Sequence, residues 1–130
     1  MKTIDLKKQL KYLYQPSAKK PEILQVPKLQ FAMVDGEIEK GKEPGNSSGF
    51  QEATQALYGV SYTLKFMLKK RKTNPIDYPV MALEGLWWVE DGFFDITVKD
   101  NWFYTLMILQ PDVVTDDVFA EGLEQVRKKK

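Results

Sequence analysis

The chain has 130 residues, enough for one domain with a real hydrophobic core, and its 43% hydrophobic content argues against intrinsic disorder. Lys and Arg number 19 against 18 Asp and Glu, a net charge of +1 that leaves no surplus of clustered cations for nucleic acid or an anionic membrane. There is no Cys and no His, so disulfides, thiolate nucleophiles, imidazole bases and Cys or His metal ligands are excluded; catalysis would fall to Asp, Glu, Lys, Tyr, Ser or Thr.

The opening MKTIDLKKQLKYLY interleaves Lys with Leu and has no apolar core of a signal peptide, and no apolar run approaches the ~20 residues that span a bilayer. A cytoplasmic protein is the simplest expectation. Thr3 is placed to cap a short helix with Leu6, Leu10 and Leu13 on one face, ended by Pro16 and Ser17, with Ser17 to Pro21 as linker. In LQFAMVDG, Leu29, Phe31 and Met33 alternate with Gln30, Ala32 and Val34, which predicts a strand closed by an Asp35-Gly36 turn. The polar stretch EIEKGKEPGNSSG reads as a mobile loop, and it lacks the arrangement of a phosphate-binding loop.

Phe50, Ala53, Leu57, Val60, Leu64 and Met67 recur at spacings of 3 and 4 and predict a long helix over Gly49–Arg71. Ser47 or Ser48 is its cap, the run KKRK sits at its negative end, and Asn74-Pro75 stops it. Tyr78–Val89 and Trp102–Gln110 read as two apolar strands joined through a long-looped hairpin, with turn signals at Asp91-Gly92 and Asp100-Asn101 and an arm over Phe93–Val98. Thr115 caps a closing helix with Asp116 and Asp117 in its first turn, Arg127 to Lys130 at its end, and Phe119, Leu123 and Val126 as its inner face. The sum is an α+β fold, an antiparallel sheet with helices on one face.

The stretch VMALEGLWWVE carries the most chemical information. A period of two puts Ala82, Glu84, Leu86 and Trp88 on one face and Leu83, Gly85 and Trp87 on the other. Glu84 stands between apolar neighbours on an expected central strand, and a desolvated carboxylate costs several kcal/mol unless partnered. A cross-strand cation, a Tyr hydroxyl, water or a ligand donor would meet it. Gly85 leaves a gap for close approach, and Trp87, Trp88, Trp102 and Tyr104 are candidate aromatic walls for a planar or cationic molecule. The plain alternatives are a Lys ion pair for Glu84, core burial for at least one Trp, and gap filling for Met67, Met81 and Met107. Tyr58 and Tyr62, one helical turn apart, are rim or packing residues. No acidic spacing suggests a metal, and no cofactor is expected.

FAMVDG, FQEATQALYGVSYTLKFMLKK, YPVMALEGLWW and WFYTLMILQPDVVT, in this order, resemble successive blocks of the GyrI-like small-molecule-binding proteins, in the stand-alone branch without a DNA-binding domain. The resemblance runs from about Val26 to the C-terminus. It divides the chain into an N-terminal helix and linker, 1–21, and a β-α-β-β half-module, 22–130. It implies a concave groove for drug-like, aromatic or cationic compounds, maps the strand carboxylate and tryptophan onto Glu84 and Trp87 or Trp88, and relates the chain to hydrolases that open the cyclopropane ring of DNA-alkylating natural products. Relatives of this branch continue into a second half, so a further half-module or a partner copy in a homodimer is expected to complete the groove. The longer polar loop after Asp35-Gly36 departs from their short glycine-containing turn.

Three functions follow as expectations. The first is a binding module for hydrophobic, planar or cationic small molecules, lined by Glu84, Trp87 or Trp88, Trp102, Tyr104 and Tyr58. The second is a hydrolase of a strained electrophile, with Glu84 activating water and Tyr62 or Tyr104 as donor. The third is an interaction module that pairs through exposed sheet surface.

Overall fold

A computed structural model describes residues 1–16, 18–90, 92, 95, 97 and 102–129. Three strands, β2 (Gln30–Glu37), β4 (Leu83–Trp88) and β5 (Phe103–Gln110), form an antiparallel sheet in the order β2-β5-β4. Helix α3 (Ser48–Lys70) connects β2 to the β4–β5 pair, and α4 (Asp116–Lys128) closes the fold beside it. The expected α+β arrangement, β-α-β-β with α3 and α4 on one face, is therefore present.

Register decides what each face carries. Ala32 pairs with Ile108 and Leu83 pairs with Ile108, so these residues share a face with Leu106 and Tyr104. That face meets Leu57, Val60, Leu64 and Leu68 of α3 in the buried core. The expected helix stripe holds, except that Ser61 and Leu68 are buried and Met67 only half so. A strict 3-4 spacing drifts around a helix of 3.6 residues per turn, and α4 covers α3 from a second side.

Other expectations change. Thr3 is not a cap: Lys2–Thr3 is a short strand, β1, parallel to β3 (Ile76–Asp77), and Asp5 caps helix α1 (Leu6–Gln9) by accepting from Lys8 N–H at 3.2 Å. A second turn, α2 (Lys11–Tyr14), follows. Asp35-Gly36 is not a turn but strand interior, paired with Thr105 and Tyr104. The loop after it is tied down: Ile38 is buried and its N–H reaches Trp102 O at 2.9 Å, while a 3-10 turn (Pro44–Asn46) leads into the helix. The buried Ser47 caps α3 by accepting from Phe50 N–H at 3.1 Å, and its hydroxyl donates to Glu39. The strand expected over Tyr78–Val89 is shorter, because Pro79 brings no N–H to a ladder. In α4, Leu123 is exposed and Gly122 is the buried residue. A Cβ there would lie 2.6 Å from Leu64 Cδ2, so the bare glycine lets α4 close on α3. Most of the expected Phe93–Val98 arm and its flanking turns, and Ser17 of the linker, lie outside the described residues.

Candidate functional site

Glu84 lies on β4, an edge strand rather than the central strand expected, because β5 occupies the middle of the sheet. Its partner in register is Met107, which places it on the face opposite α3, together with Leu86 and Trp88. What meets the carboxylate is a tyrosine hydroxyl: Tyr14 Oη–H donates to Glu84 Oε2 at 2.7 Å. Tyr14 is half-buried, and burial, then this hydrogen bond, then the charge of Glu84 push its phenol upward, so it stays protonated and donating. A carboxylate has about four lone-pair sites, so one phenol leaves Glu84 capacity for a further donor.

The surface around Glu84 is apolar and open. Met33 is 56% exposed, Leu86 53% and Trp88 39%, all on this face, and Trp88 stacks on Phe103 at 6.1 Å with an interplanar angle of 20°. Asp35 stands on the far strand of the same face and accepts from the buried Thr105 hydroxyl at 2.5 Å. On the other face, Trp87, Tyr104 and Phe50 form a ring cluster. Trp87 lies 5.5 Å from Tyr104 and 5.6 Å from Phe50, and Phe50 meets Tyr104 edge-on at 5.3 Å.

The residues singled out from sequence are thus divided. Glu84 and Trp88 share the open face. Trp87 and Tyr104 sit under α3 instead, and Trp102 is buried in the core. Burial, and then the charge of Glu39, raise the Tyr104 phenol. The gap expected at Gly85 is filled by the chain itself, since a Cβ there would meet Trp87 Nε1 at 3.0 Å. Tyr58 and Tyr62 stack on each other at 6.4 Å, and Tyr62 borders a surface groove with Phe66, Gln125 and Lys129 beside α4. Tyr62 and Glu84 are on opposite sides of the layered fold and cannot act on one small substrate. The residues missed from sequence are Tyr14, Asp35 and Thr105. Among the described residues no three acidic side chains converge as a metal site requires, and no helix is long and apolar enough to cross a membrane.

Solved structures with this architecture exist. The chain is similar to an uncharacterized conserved protein from Listeria innocua, at 40% identity over 98% of this chain and 60% of that one, with a TM-score of 0.83. It is also similar to a hydrolase encoded by lin2189 from Listeria innocua, at 39% identity over 98% and 60% of the two chains and a TM-score of 0.78. A third, described as a hydrolase from Listeria innocua, shows 37% identity over 98% and 61%, with a TM-score of 0.76. The chain therefore spans about 60% of the length of the structures it matches. No protein-family model and no curated protein matches the sequence.

Proposed function

We propose that the open sheet face is a small-molecule site for hydrophobic, planar or cationic compounds, with Glu84 as its central carboxylate and Trp88 as its stacking wall. The observation that carries this is the Glu84 environment: a carboxylate on an exposed apolar face, partnered by a neutral phenol. A neutral partner leaves the negative charge uncompensated for a ligand, and Trp88 on Phe103 offers a flat π surface beside it. On this reading the chain is a GyrI-like half-module working in the cytoplasm without a cofactor, and a second half-module or second copy would wall the groove from above. Titration with tetraphenylphosphonium, followed by tryptophan emission, tests it. Quenching is expected, with the neutral triphenylphosphine oxide binding more weakly. Glu84→Gln should weaken the cation at least about tenfold, equivalent to ~1.4 kcal/mol. Equal affinity of Glu84→Gln and the parent would end the proposal.

Hydrolysis is the second reading, favoured because two of the similar Listeria innocua structures are described as hydrolases. Glu84 would take a proton from water as the water oxygen bonds to an electrophilic carbon, and the electron pair of the broken bond would move into the leaving part of the substrate. For a cyclopropanoid, that broken bond belongs to the three-membered ring. Product formation from such a compound, absent in Glu84→Ala, would separate turnover from capture.

A further inference from the structure

We infer that Tyr14 is a positioning residue of this site, and that the N-terminal arm carrying it is part of the functional unit rather than an appendage. The inference rests on the small-molecule reading of the open face. The arm is docked at several points. Ile4 N–H reaches Asp77 O at 2.8 Å, Leu10 is buried, and Leu13 and Tyr14 pack against the core. Leu6 and Leu10 border a groove with Leu109, which shares the face of Glu84. The arm thus crosses to the side of the sheet that α3 and α4 leave open and ends with a hydroxyl on the carboxylate, 70 residues away in sequence.

The alternatives for a phenol at this position are spent elsewhere. Tyr104 packs under α3, Tyr58 and Tyr62 stack on the helix, Tyr78 is buried in the core, and Tyr12, on the arm itself, is exposed to solvent. A donor on Oε2 holds the carboxylate in one orientation, leaving Oε1 to face a ligand. The other groups facing Glu84 do not compete for this role. Met107 beside it is apolar, Asp35 and Glu37 across the sheet are acidic, and Lys7, Lys8 and Lys11 on the arm are exposed.

The full chain and its Tyr14→Phe and Glu84→Gln variants are titrated at neutral pH with tetraphenylphosphonium and with the neutral triphenylphosphine oxide. Glu84→Gln should bind the cation at least about tenfold more weakly than the parent. Tyr14→Phe keeps the ring but releases Oε2, and should weaken the cation about three- to tenfold while leaving triphenylphosphine oxide unchanged. As a second measurement, phenolate absorbance is followed at high pH. Tyr14 should ionise earlier in Glu84→Gln, which lacks the neighbouring charge. A Tyr14→Phe affinity equal to the parent's, or a phenolate curve unmoved by Glu84→Gln, overturns the positioning role while the binding reading stands. A parent that does not bind, or a Glu84→Gln variant that binds like it, defeats the binding reading instead.

Discussion

Gly36→Ala is the perturbation whose size the geometry sets most clearly. Gly36 faces Tyr104 across the β2–β5 ladder, and a Cβ there would run into the Tyr104 phenol at Oη, Cζ and Cε1. The ring has nowhere to go, since Phe50 and Trp87 hold it at 5.3 and 5.5 Å and it is only 2% exposed. Overpacking of this kind costs ~1–3 kcal/mol, and the loss of glycine's backbone freedom returns ~0.5–1 kcal/mol. The net expectation is a loss of up to about 2.5 kcal/mol, read in urea unfolding as a midpoint lower by up to roughly 1 M with the slope unchanged. Gly59→Ala is the internal control, because beyond the adjoining backbone of α3 nothing lies within 4 Å of its Cβ position. There the helix propensity term stands alone, and a gain of ~0.8–1 kcal/mol is expected. If both alanines shift the midpoint in the same direction, the claim that Tyr104 occupies the Gly36 site is wrong.

Leu64→Ala should cost ~2–5 kcal/mol because Leu64 is fully buried, whereas Leu123→Ala should stay within about 0.5 kcal/mol; similar losses from thermal melts would mean α4 is turned otherwise. Ser47→Ala removes the α3 cap and a donor to Glu39, for a loss of ~1–2 kcal/mol, while Ser47→Thr should retain most of it in the same melts. Acidification probes Asp77, whose carboxyl is held below the usual carboxylate range by Lys65 at 2.9 Å, with Lys69 also near at 3.7 Å. A depressed folded-state value gives stability that is present above the unfolded value of ~3.9 and lost as pH falls below it. The parent's advantage over Asp77→Asn should therefore be full near pH 6 and shrink as pH falls below about 4, and an advantage that grows with acid would reverse the assignment.

Patterns confined to one element were legible in the sequence. The 3-4 spacing around Leu57, Val60 and Leu64 located α3, and Thr115 located the start of α4. Period two separated Trp87 from Trp88, yet periodicity carries parity and not polarity. Which indole is covered depends on the side α3 takes, a tertiary choice. Asp35-Gly36 carries a turn signature because both residue types suit turns, and here Tyr104 opposite Gly36 supplies a different use for a missing side chain. Glu84 stood out as an acid among apolar residues, but its partner had no local signal. Tyr14 lies in a short Lys-rich helical turn, and only the docking of the arm brings it within 2.7 Å. Thr105 and Asp35 were hidden for the same reason, since a cross-strand pair exists only once the register does.

The charge on the open face argues for cations over anions independently of Glu84 alone. The positions of β2, β4 and β5 on that face include Asp35, Glu37 and Glu84 and no basic residue. Asp35 and Glu84 sit on the two edge strands, two strand spacings apart and offset by one pleat, which puts their Cα atoms ~12 Å from each other. Each accepts a hydroxyl from a neighbouring element, Thr105 for one and Tyr14 for the other. Neither hydroxyl cancels charge. An anion on the apolar floor between them would approach two carboxylates with no basic side chain from the strands beside it, whereas a cation would gain from both and still cover Met33 and Leu86 with its apolar part. On the small-molecule reading proposed above, the arm is selective as well as structural. Had a lysine stood where Tyr14 stands, Glu84 would be an ordinary ion pair and the proposed preference for cations would have no basis.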